Sequence, residues 1–203
     1  MRRDFSTIGS GRRGMAALPT FDTARLMIRP RTPGDLPACL AMDRDPEVTR
    51  FIPGPWADPA RHEAFVRARI NTDFGEGLGY WSVFPRARPD HFLGWILLIP
   101  YDGAETETET ETETETETET ETETEIGWRF RRDAWGKGFA TEAASPVLDH
   151  AFRTLRPDRV VADIDPGNAG SINVARKIGM TDGGLREHDG VVSRLFVALR
   201  RVG

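Results

Sequence analysis

Cysteine and long apolar runs are what this sequence lacks. Its 203 residues include one cysteine, Cys39, and no apolar run approaches the roughly 18 residues of a membrane-spanning helix. These absences exclude a scaffold built on disulfides and a transmembrane protein. Because a lone cysteine gives no sign of an oxidising compartment, we expect a cytoplasmic protein. The length favours one or at most two domains.

The N-terminal segment also lacks the apolar stretch that a secretion signal needs. Residues 1–14 are rich in arginine and include Asp4. We expect residues 1–19 to form a disordered leader, with Met15 as an alternative start of the native chain. The globular domain is then expected over residues 20–203.

Residues 105–125 are an uninterrupted alternation of glutamate and threonine. The whole chain has a net charge of −5, but when the 11 glutamates of the repeat are taken from its 32 acidic residues, 27 basic residues face 21 acidic ones. Like charges two residues apart repel, and no turn residue interrupts the run. We predict a solvated, largely disordered insertion between two strands. The alternatives are a partial ladder that extends those strands, or a role in binding a cation or a basic partner.

Hydrophobic patterns in the rest of the chain predict both strands and helices. Strands are predicted over residues 25–29, 80–84, 92–99, 126–130, 159–164 and 194–199. Helices are predicted over residues 36–42, 59–70, 141–155 and 171–178. The second and third strands are close enough in sequence for a hairpin. This order predicts a mixed α/β fold around a central sheet.

Residues 131–143, between a predicted strand and a predicted helix, carry the clearest chemical signal. Gly136 and Gly138 let backbone N–H groups approach a ligand closely. The following helix presents unpaired N–H groups and the positive end of its dipole. Lys137 and the two arginines that open the stretch add positive charge. We predict an anion cradle suited to a pyrophosphate; the alternative is a tight turn with solvated basic residues.

Three motifs, in this order, mark the chain: Arg25-Leu-x-Ile-Arg-Pro30, Trp135-Gly-Lys-Gly-Phe-Ala-Thr-Glu-Ala143 and Asn168-x-x-Ser171-x-x-Val-Ala-x-Lys177-x-Gly179-Met180. Together they resemble the GNAT N-acetyltransferases, most closely the ribosomal-protein N-terminal acetyltransferases of RimJ/RimL type. The resemblance runs from about Thr20 to Arg201, interrupted only by the repeat. It implies the GNAT acyl-CoA N-acyltransferase fold, a central, mostly antiparallel sheet with a splayed strand pair and flanking helices.

The resemblance also implies acetyl-CoA as co-substrate, without a metal. The pyrophosphate would be held by residues around the glycine turn: Arg131, Arg132, Gly136, Lys137, Gly138, Phe139, Ala140 and Thr141. The pantetheine arm would pair with free backbone groups of Trp128 and Phe130, which is strand addition by a ligand. Asn168 would lie beside the pantetheine and thioester, and Asn173 and Lys177 near the CoA end.

Two positions depart from the family pattern. Asp133 stands where the family usually has glutamine or arginine, so the phosphate grip would depend more on neighbouring arginines and backbone donors. Ala175 occupies the slot of a tyrosine that, in many members, protonates the departing thiolate. Ser171 is the remaining hydroxyl near the motif, either as that proton donor or only as a helix N-cap residue.

Residues on the acceptor side are less clearly marked. Amines are protonated near pH 7, so attack on a thioester needs a proton acceptor. Glu125 occupies the position of a family glutamate just before the Ile-Gly-aromatic strand, and is either that acceptor or one more glutamate of the repeat. Glu187 and His188 are expected on the loop before the last strand, facing the acceptor or solvent.

Three aromatic or apolar residues upstream leave two readings open. Trp56, Phe51 and Ile52 either line an acceptor groove or pack in the core. The four histidines show no ligand spacing, so no metal site is expected.

The resemblance implies an N-acetyltransferase, which we expect to act by direct attack in a ternary complex. The expected acceptor is a protein N-terminal α-amine. The alternatives are a small-molecule amine (a polyamine, an antibiotic or an amino-acid-like amine) and a non-catalytic acyl-CoA-binding GNAT domain. We expect a monomer or homodimer, without membrane association or direct nucleic-acid binding.

Overall fold

The computed structural model describes residues 18–101, 123–188 and 190–200. Predictions for residues 1–17 of the leader and for most of the Glu-Thr repeat fall outside these residues. The last two residues predicted for the leader belong to the folded part, because Leu18 packs against the core and the backbone oxygen of Pro19 accepts a hydrogen bond from Trp81 Nε1 at 2.7 Å. The end of the repeat falls inside them, and there Thr124 and Glu125 begin a strand.

Within the described residues, eight strands form one mixed sheet. They are β1 Phe21–Asp22, β2 Leu26–Pro30, β3 Gly79–Pro85, β4 Gly94–Pro100, β5 Thr124–Phe130, β6 Arg159–Ile164, β7 Thr181–His188 and β8 Val191–Leu199. Their order across the sheet is β1-β2-β3-β4-β5-β6-β8-β7. Every neighbouring pair is antiparallel except β5 and β6. The predicted mostly antiparallel, mixed sheet is confirmed.

Five α-helices in the same residues flank the sheet: α1 Leu36–Asp43, α2 Pro46–Thr49, α3 Pro59–Asn71, α4 Phe139–His150 and α5 Ala169–Lys177. The predicted start of α3 is confirmed, because the Asp58 carboxylate accepts hydrogen bonds from the backbone N–H of Ala60 and Arg61 at 3.0 and 3.1 Å. In place of the helix predicted over 141–155, the α-helix α4 ends at His150. The remaining residues, Ala151–Leu155, form a π-helical turn. No helix in the described residues is long and apolar enough to cross a membrane.

Side chains of the central strands alternate between two apolar layers, one on each face of the sheet. In β4, Ile96 and Leu98 pack into the layer that α4 and α5 complete. Leu97 and Ile99 pack into the layer that α1 and α3 complete. The helices therefore cover both faces of the sheet.

The parallel strands β5 and β6 separate in the middle of the sheet. They pair only where Thr124 meets Val160 and Glu125 meets Val161, although β5 continues along β4 to Phe130. From that point on, β5 and β6 no longer form a ladder. The splayed strand pair is confirmed, and it leaves an opening in the sheet.

Strand β7 is the longest element that the sequence patterns did not reveal; the short elements β1 and α2 were not predicted either. Glu187 and His188 lie in β7, so their expected place on a loop is wrong. Thr181–His188 has one strongly apolar residue, Leu185, and no alternation marks it as a strand. An edge strand needs little apolar surface, so pairing with β8 determines its structure. The register shift opposite β8 falls between Asp182 and Gly184, and the φ of Gly184 is +95°.

Candidate active site

Two adjoining cavities lie at the opening between β5 and β6. The larger, about 560 Å³, is bounded by the glycine turn before α4, the starts of α4 and α5, and β5; we call it the glycine-loop cavity. The smaller, about 230 Å³, is bounded by β4, β5, β6 and the β7–β8 hairpin; we call it the hairpin cavity. The residues that line both are Phe51, Ile52, Trp128, Arg129, Asn168 and Ser171. A ligand that reached through the opening would contact both cavities.

The turn before α4 has the geometry of an anion cradle. Gly136 and Gly138 have φ values of +70° and +77°, in the left-handed region that side chains disfavour. A Cβ at Gly136 would meet nothing within 4 Å, so the space over the turn is open. Gly138 is the N-cap of α4, and the first N–H groups of a helix have no partner within it. Residues of this first turn line the cavity, where the positive end of the helix dipole favours an anion.

Most of the predicted cofactor-binding residues line this cavity. They are Trp128, Phe130, Gly136, Gly138, Phe139, Ala140, Thr141, Asn168, Asn173 and Lys177. Arg131, Arg132 and Lys137 lie outside the lining. Arg131 is instead held by Asp133, whose carboxylate lies 3.0 Å from the arginine Nε. The hydrogen bond from Arg131 lowers the pKa of Asp133. Asp133, which stands where the family usually has glutamine or arginine, therefore holds one of the arginines that were predicted to bind phosphate.

Arg25 is a supporting residue that the sequence patterns did not reveal. Its Nη1 donates to the backbone oxygen of Lys137 at 3.0 Å, and its Nε donates to the Glu142 carboxylate at 2.6 Å. The Thr23 hydroxyl donates to the other oxygen of Glu142 at 2.6 Å. Burial raises the pKa of Glu142, but the bonds from Thr23 and Arg25 outweigh it and leave that pKa below its ordinary value. The start of β2 thus braces the glycine turn and the first turn of α4.

The start of α5 brings Asn168 and Ser171 to the boundary of the two cavities. Asn168 is the N-cap, because its side-chain oxygen accepts the backbone N–H of Ser171 at 3.0 Å. Ser171 is therefore not the N-cap residue. Its hydroxyl accepts a hydrogen bond from Trp128 Nε1 at 3.3 Å, which leaves the hydroxyl proton available for donation. Ala175 lies on the same helix, wholly buried in the core.

The hairpin cavity combines apolar walls with carboxylates. Its apolar walls include Phe51, Ile52 and Pro53 before α3, Trp95 and Leu97 on β4, and Val191 and Val192 on β8. Glu125, Asp163 and Asp165 supply its carboxylates, and Tyr101 and His188 also line it. Of the upstream residues with two readings, Phe51 and Ile52 line the cavity. Trp56 does not line it, and its Nε1 donates to the backbone oxygen of Ile52 at 2.7 Å, so it packs behind that wall.

A buried ion pair supports the same wall. Arg129 of β5 lies 3.1 Å from the Asp43 carboxylate, and both side chains are almost fully buried. The guanidinium stacks between the rings of Trp56 and Trp95, at 4.8 and 5.0 Å from their centres. Asp43 also lies 3.3 Å from His62 Nε2. In sequence, Arg129 lies between the predicted site residues Trp128 and Phe130. Its support of the cavity wall could not be predicted, because a single arginine in a strand has no distinguishing pattern.

The family described as acetyltransferase (GNAT) domain matches residues 25–181. The chain belongs to the GNAT acetyltransferase family. A protein named uncharacterized N-acetyltransferase YnaD, from Bacillus subtilis, is 29% identical over 158 residues, covering 78% of this chain and 80% of its own length. A solved GNAT-family acetyltransferase from Bacillus anthracis has a TM-score of 0.68 at 23% identity, covering 90% of this chain and 99% of its own.

A GNAT structure with its cofactor also shares the fold. Spermidine N-acetyltransferase from Vibrio cholerae, solved in complex with CoA and spermine, has a TM-score of 0.65 at 15% identity, covering 88% of this chain and 97% of its own. The glycine-loop cavity of the present GNAT enzyme fits a CoA group on two grounds of its own. The open space over Gly136 admits a phosphate, and the first turn of α4 supplies unpaired donors. The described residues hold no cluster of His, Cys, Asp or Glu that could bind a metal ion.

Proposed function

We propose that this GNAT acetyltransferase transfers acetyl from acetyl-CoA to a primary amine, namely the N-terminal α-amine of a peptide or protein, in a ternary complex. The observation that carries the proposal is the meeting of two differently lined cavities at one opening of the sheet. One cavity suits an anion and the other suits an amine, so both substrates could be held together. The RimJ/RimL type and a cytoplasmic setting are part of this proposal.

The glycine-loop cavity would hold CoA through three parts of the chain. The backbone of residues 136–141 would receive the pyrophosphate at the start of α4. Trp128 and Phe130 lie on the part of β5 that has left β6, and their backbone groups would pair with the pantetheine arm. Asn173 and Lys177 would lie beside the rest of the cofactor. Acetyl-CoA supplies an acetyl group activated as a thioester.

The hairpin cavity would hold the acceptor. Its carboxylates suit a protonated amine, and its apolar walls suit the first side chain of a peptide. An α-amino group has a pKa of about 7.7–8.0, against about 10.4 for lysine, so an α-amine loses its proton more readily at pH 7. Glu125 lines this cavity next to the point where β5 and β6 part. We assign it the role of proton acceptor.

Ser171 is the assigned proton donor on the other side of the opening. Trp128 fixes the serine oxygen, so the hydroxyl proton is free to point elsewhere. A thiol has a pKa near 8.5 by analogy with cysteine, so the thiolate leaves fairly well without full protonation. Positioning of the two substrates would then supply much of the rate.

The test is acetylation of short peptides, with mass spectrometry to locate the acetyl group. We expect the α-nitrogen of a peptide with a free N-terminus to be modified, and an N-blocked peptide that carries a lysine to be a poor substrate. Turnover of spermidine or an aminoglycoside, without turnover of any peptide, would support the small-amine alternative. Binding of acetyl-CoA without turnover of any amine would support the non-catalytic alternative.

A further inference from the structure

Trp135 is a large apolar side chain that stays in contact with water beside the glycine turn. It stands directly before Gly136 and lines the glycine-loop cavity. The residue is 45% exposed. Apolar surface in water is unfavourable, so a ligand group that covers the indole gains affinity. Trp135 therefore offers an apolar contact to the ligand of this cavity.

A hydrogen bond holds the indole in place. Its Nε1 donates to the backbone oxygen of Phe130, the last residue of β5, at 2.8 Å. The ring thus connects the end of β5 with the start of the glycine turn. A side chain that is already fixed loses little freedom when a ligand covers it. The geometry is that of a preformed contact surface.

The bonded carbonyl lies on the open edge of β5. The backbone N–H of Arg131 donates to the oxygen of Leu93, the residue just before β4. The carbonyl of Phe130 belongs to the same trans peptide plane and points the opposite way. It therefore points away from β4, toward the opening where β5 and β6 no longer pair. The indole sits at the end of the strand edge to which we assign the pantetheine arm.

The chemistry of CoA then identifies the group that meets the ring. The proposed function assigns the pantetheine amides to β5 and the pyrophosphate to the glycine turn. Between these two parts, CoA carries a pantoate unit, whose quaternary carbon bears two methyl groups. Trp135 lies between the same two parts of the chain. The adenine ring follows the pyrophosphate and is further from β5 along the cofactor.

We propose that Trp135 packs against the two methyl groups of the CoA pantoate unit, and that its bond to Phe130 positions the ring. This inference rests on the CoA binding of the proposed function. It assigns to the cofactor a side chain that the sequence patterns did not single out. The indole contacts a part of CoA that the phosphate cradle does not reach.

The test measures the affinities of CoA and of 4′-phosphopantetheine by calorimetry. The second ligand keeps the pantoate unit and a phosphate but lacks adenosine. In Trp135→Ala, we expect both affinities to fall by the same factor, roughly tenfold, because two methyl groups lose their apolar contact. Trp135→Phe keeps an apolar ring and loses only the N–H donor, so we expect a loss of about threefold.

Leu199→Ala is the matched control. Leu199 is a large apolar residue of β8 that is 68% exposed, and it lies outside the lining of both cavities. Its replacement removes exposed apolar surface without touching the cofactor. We expect both ligands to bind this variant as they bind the wild type.

Four results would overturn the assignment. They are wild-type affinity for CoA in Trp135→Ala, a loss for CoA alone, an equal loss in Trp135→Phe and Trp135→Ala, and a wild type that does not bind 4′-phosphopantetheine. A loss for CoA alone would place adenosine on the ring. Equal losses in the two variants would mean that the indole only fastens the turn through its N–H.

These binding measurements do not depend on turnover. A wild type that binds CoA but acetylates no amine would refute the proposed acetylation, and the comparison of variants would still decide the role of Trp135. A wild type that does not bind CoA would refute both.

Discussion

The glycine-loop cavity and the hairpin cavity are built in opposite ways. The anion cradle of the first comes from one continuous stretch, the glycine turn and the first turn of α4, although β5, α5 and residues 47–52 complete the walls of that cavity. The second uses side chains from β4, β5, β6 and β8 and from the segment before α3. A cavity made from local backbone leaves a sequence motif, because the glycines needed for its turn adjoin each other. A cavity made from scattered side chains leaves none.

The comparison predicts that the two cavities can be disabled separately. Gly138→Val should have the largest effect, because a β-branched residue is strained at φ +77° and would disturb the turn to which we assign the phosphates of CoA. We expect acetyl-CoA affinity to fall about 100-fold or more, measured by calorimetry. Gly184→Val is the matched control, since Gly184 has φ +95° and open space around it in β7. Equal losses in the two variants would mean that strain alone, and not the cradle, explains the effect.

Glu125→Gln should have the next largest effect, and on the other cavity. If this carboxylate takes the proton of the amine, kcat should fall about 100-fold or more, as for other general bases, with unchanged acetyl-CoA affinity. The pH-rate profile should lose its acidic limb. A variant with the wild-type rate and profile would show that Glu125 is only the end of the repeat.

Arg25→Met should have a moderate effect on the glycine-loop cavity. Removal of the brace between Lys137 and Glu142 should weaken acetyl-CoA binding roughly three- to tenfold, since charge-assisted hydrogen bonds fix the turn. Arg88→Met is a control at a residue outside both cavities. Unchanged affinity in Arg25→Met would show that α4 holds the turn without help.

The same substitution should change the pH dependence of stability. The pKa of Glu142 is depressed in the folded protein, so its contribution to stability is present above its unfolded-state pKa and is lost as the pH falls through the folded value. Without Arg25 this pKa returns toward normal. Melting temperatures from pH 7 to pH 3 should therefore fall less steeply in Arg25→Met than in the wild type. Parallel curves would contradict this assignment.

Ser171→Ala should have the smallest effect. A thiolate with a conjugate pKa near 8.5 leaves without much help, so we expect kcat to fall only roughly threefold. The loss should shrink with an acyl donor whose thiol is more acidic. A loss that does not depend on the thiol would mean that Ser171 acts through its contact with Trp128.

The sequence predicted features that depend on neighbouring residues, and it did not predict those that depend on residues far apart in the chain. The cap at Asp58, the glycine turn and the central strands depend on neighbouring residues, and the structure has them as predicted. β7 was not predicted, because its pairing with β8, and not an alternation of apolar residues, makes it a strand. Arg25 and Glu142 are 117 positions apart, and only the fold brings them together. The site roles carried over from the family resemblance remain predictions.

Tyr101 shows most clearly why a search for sequence motifs does not find every residue that lines the cavities. Ala175 stands on α5 where the family resemblance leads us to expect a tyrosine, and it is buried in the core. Tyr101 lies far upstream in sequence, yet it lines the hairpin cavity and reaches Asp163 of β6. No spacing rule connects the residue after β4 with Asp163 near the end of β6, because β5 separates the two strands and only the folded sheet brings these side chains together.

The central claim is that the glycine turn holds CoA beside a separate amine site. Calorimetric titration of the protein with acetyl-CoA tests it most directly, since it does not need the acceptor. We predict micromolar binding that weakens as salt is added, because contacts to phosphates are screened. Absence of binding at millimolar acetyl-CoA, or binding that salt leaves unchanged, would contradict the account.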